Sequence, residues 1–394
     1  MSFNEDWKKT EIENITINYD SERIPVSSRK RKKMQGEFPY YGAQGIIDYV
    51  NDFIFDGEYL LVAEDGANLE TRKKDIAQVV DGKFWANNHV HILKTTKDYN
   101  LYYLKYYLNN KNISPYITGS AQPKLNQNNL NKIKIMLPSL KIQNAITNFL
   151  LLFDRKIENN NKINKTLEEM AQAIFKSWFI DFEPFQDGEF IESDLGMIPE
   201  SWEVVPFENL FEFQKGKTPK NKSKEKKDGY LKYLTISVLS GKKTVYGEPT
   251  KNNTLVNEND VVMVMDGSSS GKIFFGTSGI VASTLAKLNI INDKISNGFI
   301  YLLAKYYEKE FMKNTTGSAV PHADKKYILN KKIAIPKDKS LLNDFNKSIN
   351  DIRTKISLNK QENQSLKELR DSLLPKLMSG EIRVPLNKDA KEVN

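Results

Sequence analysis

The chain has 394 residues, no cysteine and a formal net charge of +8. This length favours two or more domains, and 39% hydrophobic residues are enough to form real cores. The missing cysteine excludes disulfide bonds, cysteine zinc sites and thiol catalysis. The basic balance favours an anionic partner, with nucleic acid as the first candidate, although lysine-rich codon usage would give the same charge.

The start of the sequence does not read as a secretory signal. Acidic Glu5 and Asp6 stand where a signal peptide needs a basic start followed by an apolar run. The apolar runs are far shorter than the roughly 20 residues of a membrane span. We therefore expect a protein of the cytoplasm.

In chain order, strand-rich and helical stretches alternate twice. Residues 1–139 and 184–339 have β-branched and aromatic runs broken by Gly, Asn and Asp turns. Residues 140–183 and 340–394 each begin with a long helical stretch. We expect these helices to end before Pro184 and around Pro375, because the residue before a proline is disfavoured in a helix.

The strand-rich stretches repeat each other. The sequence Thr-Gly-Ser-Ala at residues 118–121 returns 198 positions later at residues 316–319. Further pairs follow in the same order: Trp7 with Trp202, Asp65-Gly66 with Asp266-Gly267, and residues 134–138 with 332–336. Matches in one order and at similar offsets predict a duplicated domain.

The two long helices also match. Steps of four and three residues give an apolar seam that each helix interrupts with two asparagines, Asn160 and Asn164 in the first and Asn359 and Asn363 in the second. An offset of 199 residues aligns the two seams. Arg370, which aligns with Ala171, is the one poor match. We expect the helices to pack on each other in a register set by the asparagines. The alternative is that each helix packs only on its own domain.

Paired helices of this length suit a spacer. A helix of 35 to 40 residues spans roughly 55 Å, enough to hold two domains about one DNA turn apart. The sequence predicts an α+β fold in which two similar strand-rich domains are separated by two long antiparallel coiled-coil helices related by a pseudo-two-fold repeat.

Enzymatic motifs fit poorly. Gly267 and Gly271 are three residues apart and Ile273 follows Lys272, whereas a phosphate loop needs four residues between its glycines and Ser or Thr after the lysine. His89 and His91 would share one strand face, but they lack an acidic partner motif, so a turn or edge position is favoured over a metal site. We predict no catalytic residue and no metal ligand. A nucleotide hydrolase using this glycine segment and a coiled-coil scaffold for proteins alone remain the alternatives.

Four segments stand out as motifs. Residues 157–184 end in Phe-Lys-Ser-Trp-Phe-Ile-Asp-Phe-Glu-Pro, residues 196–205 read Gly-Met-Ile-Pro-Glu-Ser-Trp-Glu-Val-Val, and residues 373–384 begin Leu-Leu-Pro-Lys-Leu. With residues 40–49 and 84–89, these segments resemble the specificity subunits of type I restriction-modification systems over essentially the full length of the chain. In that order they resemble the central spacer, the start of a second target-recognition domain, the terminal conserved stretch and one type of recognition domain.

The resemblance implies a non-catalytic DNA-binding subunit with two target-recognition domains. Each domain reads half of an asymmetric, interrupted double-stranded DNA target. Two modification subunits, which bring S-adenosylmethionine and methylate adenine, dock on the helices. Two restriction subunits add ATP-driven translocation and cleavage with Mg²⁺. No cofactor is expected on this chain.

Candidate DNA-binding residues are polar and basic groups in turns, which reach base edges and phosphates. In the first domain they are Tyr41, Gly42, Gln44, Asn87, Asn88, His89, Gly119, Ser120, Gln122 and Lys124. In the second they are Lys215, Lys217, Thr218, Ser268, Ser269, Ser270, Lys272, Gly317, Ser318 and His322. The alternative for each is ordinary turn chemistry. Trp178 and Phe179 are expected to be core or subunit-interface anchors rather than base stackers.

Overall fold

The structure is a computed structural model that describes residues 7–119, 122–317 and 319–385. The chain forms two compact units. Unit 1 combines residues 1–158 with 362–394, and unit 2 contains residues 159–361. Each unit therefore contains one strand-rich domain and a segment of each long helix.

Unit 1 contains the first strand-rich domain. Its strands are β1 (Lys8–Glu11), β2 (Thr16–Asn18), β3 (Gln35–Gly42), β4 (Gly45–Val50), β5 (Tyr59–Ala63), β6 (Ala77–Val80), β7 (Trp85–Ala86), β8 (Val90–Thr95) and β9 (Lys134–Leu137). Its helices are α1 (Ser28–Arg31), α2 (Asn68–Thr71), α3 (Leu101–Asn110) and α4 (Gln127–Asn131), followed by α5 (Leu140–Phe179), which continues into unit 2.

An antiparallel sheet of order β2-β8-β5-β6 forms the centre of unit 1. Strand β5 is buried along its whole length because successive side chains point into different cores. Leu60 and Val62 join the large core under α3, whereas Tyr59 and Leu61 pack with Phe55. A smaller sheet of order β4-β3-β7 and the pair β1-β9 complete the domain.

Unit 2 contains the second strand-rich domain. Its strands are β10 (Phe190–Ser193), β11 (Gly196–Pro199), β12 (Trp202–Pro206), β13 (Phe211–Lys215), β14 (Lys222–Ser223), β15 (Leu231–Leu234), β16 (Tyr246–Gly247), β17 (Leu255–Val256), β18 (Val261–Val264), β19 (Ile273–Phe274), β20 (Gly279–Val281), β21 (Leu285–Ile290), β22 (Thr315–Thr316), β23 (His322–Ala323) and β24 (Lys332–Pro336). Its helices are α6 (Ile236–Leu239), α7 (Asn297–Tyr306), α8 (Glu308–Lys313), α9 (Lys325–Asn330) and α10 (Lys339–Ser379), which continues into unit 1.

The two domains share one sheet topology, as the sequence repeat predicts. Unit 2 has an antiparallel sheet of order β13-β21-β18-β19, which corresponds to β2-β8-β5-β6 of unit 1. The pair β12-β24 corresponds to β1-β9. Registers also correspond, since Lys8 pairs with Leu137 in unit 1 and Glu203 pairs with Ile335 in unit 2. The duplication is therefore structural as well as sequential.

The long helices run antiparallel in each unit. In unit 1, Asp154 and Lys156 of α5 contact Arg370 and Glu362 of α10, so positions rise on one helix as they fall on the other. In unit 2, Asn164 pairs with Asn359, and Phe175 packs on Phe345. The predicted seam is buried. The most buried apolar residues of the seam are Ile146, Leu150, Ile157, Ala171, Phe345, Ile349 and Ile356.

The predicted seam asparagines are buried as well. Asn160, Asn164, Asn359 and Asn363 are each less than 9% exposed. The Nδ2 of Asn359 donates to the Oδ1 of Asn164 at 2.9 Å. An amide pair inside an apolar seam disfavours slipped registers, because a slip would leave both amides unpaired.

One of the two helix ends differs from the prediction. Helix α5 ends at Phe179, before Pro184 as predicted, and Phe182 takes a left-handed conformation with φ of 54° and packs on Trp202. Helix α10 continues through Pro375 to Ser379, so the predicted stop at that proline is wrong. The proline removes one helical hydrogen bond, but Leu377 and its neighbours bury themselves in the core of unit 1 and hold the last turn.

The aromatic residues at the end of α5 are core residues. Phe179 is 2% exposed and packs against Trp202, Phe299 and Phe345. Trp178 packs on Phe345 as well. These contacts agree with the prediction that the pair anchors the fold instead of stacking on bases.

Candidate nucleic-acid interface

In unit 1 a turn after β5 holds an exposed loop. The amide of Gly66 donates to the carbonyl of Pro123 at 3.1 Å, and Asp65 and Lys124 form an isolated β-bridge. The loop closes on itself through two backbone hydrogen bonds of 2.7 and 2.8 Å between Thr118 and Lys124. Gly119 has φ of 88°, and a Cβ there would lie 2.4 Å from the carbonyl oxygen of Gln122. The loop geometry therefore requires glycine.

The exposed side chains of His89 and Lys124 lie beside this turn. The Nδ1 of His89 lies 2.5 Å from the Oδ2 of Asp65, and the imidazole side chain is 48% exposed. The Lys124 ammonium lies 3.2 Å from the Glu64 carboxylate, and its side chain is 52% exposed. Each side chain has one acceptor on the protein and still presents donors to solvent. Both groups can therefore donate a hydrogen bond to a ligand that carries an acceptor.

A buried cluster formed by Asp20 and His91 contacts the residue next to Lys124 of this turn. His91 is 1% exposed, and its Nδ1 lies 2.5 Å from Asp20 while its Nε2 lies 2.7 Å from the carbonyl of Leu125, next to Lys124. Burial raises the pKa of the Asp20 carboxyl, but the contacts with His91, the Ile92 amide and Arg23 outweigh it, and the net pKa is lowered. The expectation that His91 occupies a turn or edge is therefore wrong; it is a core residue.

A second surface of unit 1 comes from the β3–β4 hairpin. Gln44 lies at its exposed tip, between Gly42 and Gly45, which pair in the ladder. The amide of Asn87 donates to the carbonyl of Tyr41 at 3.0 Å and ties the hairpin to the turn before β8. The Oδ1 of Asn87 accepts the amide of His89 at 2.9 Å, so the buried Asn87 side chain shapes this turn.

Unit 2 repeats the arrangement with other side chains. The amide of Gly267 donates to the carbonyl of Pro321 at 2.8 Å, as Gly66 does to Pro123. Gly317 has φ of 86°, and a Cβ there would lie 2.5 Å from the carbonyl of Val320. His322, whose side chain is 49% exposed, occupies the position of Lys124 and places Nδ1 2.8 Å from the Oδ1 of Asp266.

Further candidates lie at the end of β13 and just after it. The Lys215 ammonium, on a side chain 59% exposed, lies 4.0 Å from the other oxygen of the Asp266 carboxylate. The hydroxyl of Thr218 lies 3.0 Å from the Tyr233 hydroxyl and donates to the Ser283 hydroxyl at 3.4 Å. Lys217 is exposed, and its carbonyl accepts from an asparagine side chain. This side of unit 2 thus carries exposed basic and hydroxyl groups on rigid strand ends.

The three serines of the predicted run, residues 268–270, differ in how exposed they are. Ser268 is exposed and Ser269 is half-buried. Ser270 is 2% exposed, and its hydroxyl oxygen lies within 3.2 Å of three carbonyl oxygens, those of Met265, Gly267 and Pro321, to any one of which it can donate. The Lys272 ammonium lies over the Phe274 ring at 5.4 Å. These contacts give the segment a role in holding the loop.

The structure thus places two candidates beside each of two aspartates: His89 and Lys124 beside Asp65 in unit 1, and Lys215 and His322 beside Asp266 in unit 2. In unit 1, Asn88, His89, Gly119, Gln122 and Lys124 are exposed, whereas Asn87 and Gly42 are buried. Ser120 and Ser318 lie outside the described residues. Sequence reasoning did not assign Asp65 and Asp266 to the site. The repeated Asp-Gly pair was the signal, because a carboxylate that orients a basic group belongs to the same site.

Other kinds of site receive no support within the described ranges. Residues 7–119, 122–317 and 319–385 contain no cluster of three or more His, Cys, Asp or Glu that could hold a metal ion. The described helices include no segment whose length and hydropathy would let it cross a bilayer.

The fold and the site define a duplicated α+β protein in which each of two domains has exposed basic groups beside an Asp-Gly turn. The sequence matches the type I restriction modification DNA specificity domain twice, over residues 4–169 and 199–368. The chain therefore belongs to this family, whose domain confers DNA specificity and is not an enzyme.

Several known proteins are similar over long stretches. The type I restriction enzyme MjaIX specificity subunit of Methanocaldococcus jannaschii is 28% identical, with 96% of this chain and 97% of that protein covered. A putative type I specificity subunit of Haemophilus influenzae is 41% identical over 37% of this chain and 36% of its own length. The crystal structure of the S subunit from M. genitalium shares the fold, with a TM-score of 0.56 at 19% identity over 96% of this chain and 98% of that one.

Proposed function

We propose that this specificity subunit reads a bipartite, asymmetric DNA target, one half with each repeat. The supporting observation is that the Asp-Gly turn and the glycine loop pinned to it occur in both units. The exposed groups around them differ, with His89 and Lys124 in unit 1 and Lys215 and His322 in unit 2. A common scaffold with different reading groups fits a target whose halves have different sequences.

The chemistry of the exposed groups suits double-stranded DNA. The amides of Gln44, Asn88 and Gln122 match the donor and acceptor pair that adenine presents in the major groove. The ammonium groups of Lys124 and Lys215 match phosphates, which set affinity and register but not sequence. We assign base reading to the amides, serine and threonine, and phosphate binding to the lysines.

The long helices are proposed to dock two modification subunits. Their seams are filled, yet each helix also carries apolar side chains that face solvent. In unit 1, Leu152 of α5 is 61% and Leu369 of α10 is 49% exposed. In unit 2, Met170 of α5 is 48% and Leu358 of α10 is 54% exposed. In this proposal the modification subunits cover these exposed apolar side chains.

The remaining components belong to partner subunits in this proposal. The modification subunits supply S-adenosylmethionine and methylate adenine, and two restriction subunits supply ATP hydrolysis, Mg²⁺ and cleavage in the cytoplasm. Extruding a base from duplex DNA costs a few kcal/mol, and we assign that step to the modification subunits. The present chain fixes the register through its phosphate and base contacts.

The test uses the purified chain with and without its modification subunits. The mixture should methylate one adenine-containing duplex with labelled S-adenosylmethionine, and the chain alone should transfer no methyl group. Scrambling either half of the duplex should abolish methylation by the mixture. Methyl transfer by the chain alone, or indifference to one half of the target, contradicts the proposal. Loss of the duplex bandshift at high salt separates DNA binding from a scaffold that contacts proteins alone.

A further inference from the structure

In unit 1 a charged cluster joins the recognition domain to both long helices. Asp154 of α5 accepts from the Arg370 guanidinium of α10 at 2.5 Å. The same carboxylate accepts from the Tyr106 hydroxyl at 2.6 Å and the Lys105 ammonium at 3.0 Å, both on α3. We call these residues the Asp154 cluster. Arg370 is therefore the partner of a half-buried carboxylate and not an irregularity of the seam.

In unit 2 the corresponding cluster has the opposite charge order. Arg353 of α10 stacks on the Phe275 ring at 3.4 Å, and that ring stacks on Tyr301 of α7 at 4.6 Å. The Tyr301 hydroxyl donates to Glu168 of α5 at 3.2 Å. The pKa of Arg353 is lowered to about 10, because burial outweighs the opposing effect of the negative charge of Glu168. We call these residues the Arg353 cluster.

The repeat relates the two clusters. Helices α5 and α10 begin at Leu140 and Lys339, an offset of 199. This offset places Arg353 at the position of Asp154, Lys367 at that of Glu168, and Arg370 at that of Ala171. At this equivalent position α5 thus carries an acid, Asp154, and α10 carries a base, Arg353. The facing helix carries the opposite charge in each unit.

We propose that this charge reversal makes the two repeats recognise each other and reject copies of themselves. Pairing of two first halves would place Glu168 of one beside Asp154 of the other. Pairing of two second halves would place Lys367 and Arg370 beside Arg353. Both self-pairings bring like charges together at half-buried positions, which is costly, whereas the observed pairing joins unlike charges.

The asparagines do not provide this discrimination. Asn160 and Asn164 of the first helix have the same spacing as Asn359 and Asn363 of the second. A self-pair would therefore present the same amides at the seam as the observed pair. The asparagines set the register, and the charged clusters select the partner.

An exchange experiment on the whole chain tests the selection. A protease site is inserted in the exposed turn at residues 186–189, and the folded, purified chain is cleaved so that both halves remain together. Unlabelled and isotope-labelled preparations are mixed, dissociated in urea, refolded by dilution and weighed by native mass spectrometry. New combinations of labelled first and unlabelled second halves show that exchange has occurred. We expect complexes of one first half with one second half; complexes of like halves in the proportion given by random pairing overturn the proposal.

Substitutions in the intact, uncleaved chain test the physical cause. Glu168→Lys introduces the residue that a second-half self-pair would present to Arg353, and Glu169→Lys makes the same change at the neighbouring position, where the side chain is 66% exposed. We expect Glu168→Lys to lower the melting temperature by roughly 3–6 °C and Glu169→Lys to leave it within about 1 °C. Adding Arg353→Glu to Glu168→Lys should recover part of the loss. Equal melting temperatures for the two single variants overturn the charge argument. Neither experiment depends on DNA binding.

Discussion

Replacing Asp20 by asparagine probes the buried cluster that supports the unit 1 turn. One carboxylate oxygen lies 2.5 Å from His91, and the other accepts the Ile92 amide at 2.9 Å. The side chain of Asp20 is 4% exposed and that of His91 is 1% exposed. The asparagine side chain would keep an acceptor for the amide but would remove the negative charge beside the imidazole.

The magnitude follows from burial. Breaking a buried charged pair by changing one partner costs about 3–5 kcal/mol, because the other group stays buried without compensation. The retained Ile92 contact places Asp20→Asn at the lower end, about 3 kcal/mol. His91 also faces the carbonyl of Leu125 at 2.7 Å, beside Lys124. The variant should therefore weaken binding to the first half-site in addition to lowering stability.

The effect has a defined pH dependence. The pKa of Asp20 is lowered in the folded protein because its hydrogen bonds and neighbouring charges outweigh burial. Its contribution to stability is therefore complete above the ordinary aspartate pKa of about 4 and is lost as pH falls through the lower folded-state value. The stability difference between the native chain and Asp20→Asn should shrink on acidification below about pH 4.

Urea denaturation followed by tryptophan fluorescence measures the difference. Trp85 reports on unit 1, because its indole donates to the carbonyl of Ile24 at 2.7 Å. Asp98→Asn is the matched control, since Asp98 is exposed in the same unit. The reasoning fails if Asp20→Asn is as stable as this control, or if the difference from the native chain grows as pH falls.

Further predictions concern the two reading surfaces. Lys124→Ala should weaken DNA binding evenly across sequences and reduce the slope of log binding constant against log salt concentration by about 1. Fluorescence anisotropy with modification subunits present measures this slope, and an unchanged slope would show that Lys124 does not contact a phosphate. Gly119→Ala should impair binding through the first half-site and Gly317→Ala through the second, because a Cβ would lie 2.4 and 2.5 Å from a carbonyl oxygen; equal loss at both half-sites in either variant contradicts this. Exchanging residues 1–139 for those of another specificity subunit should change one half-site in a methylation map, and a change in both would refute separate reading. One added heptad in α5, about 10 Å, should alter the preferred gap; methylation at the original gap with undiminished rate would exclude a spacer role.

The duplicated architecture can be predicted from the sequence alone. Repeated segments at a nearly constant offset predicted two domains of one topology, and the observed registers of β1-β9 and β12-β24 agree. The heptad seam predicted the long helices and their pairing, because a period of this kind is a local property that survives without tertiary information. The buried asparagines on both helices follow from the same pattern.

Which polar side chains lie together depends on how the elements pack. The strand alternation suggested one face for His89 and His91, but β8 starts at Val90, so His89 lies in the turn and contacts Asp65 while His91 enters the core. Asp20 and His91 are 71 positions apart, and no local period relates them. The course of α10 through Pro375 likewise depends on a core from the other end of the sequence. Periodicity encodes elements and faces, whereas a site depends on contacts between residues distant in the chain, which form when the elements pack.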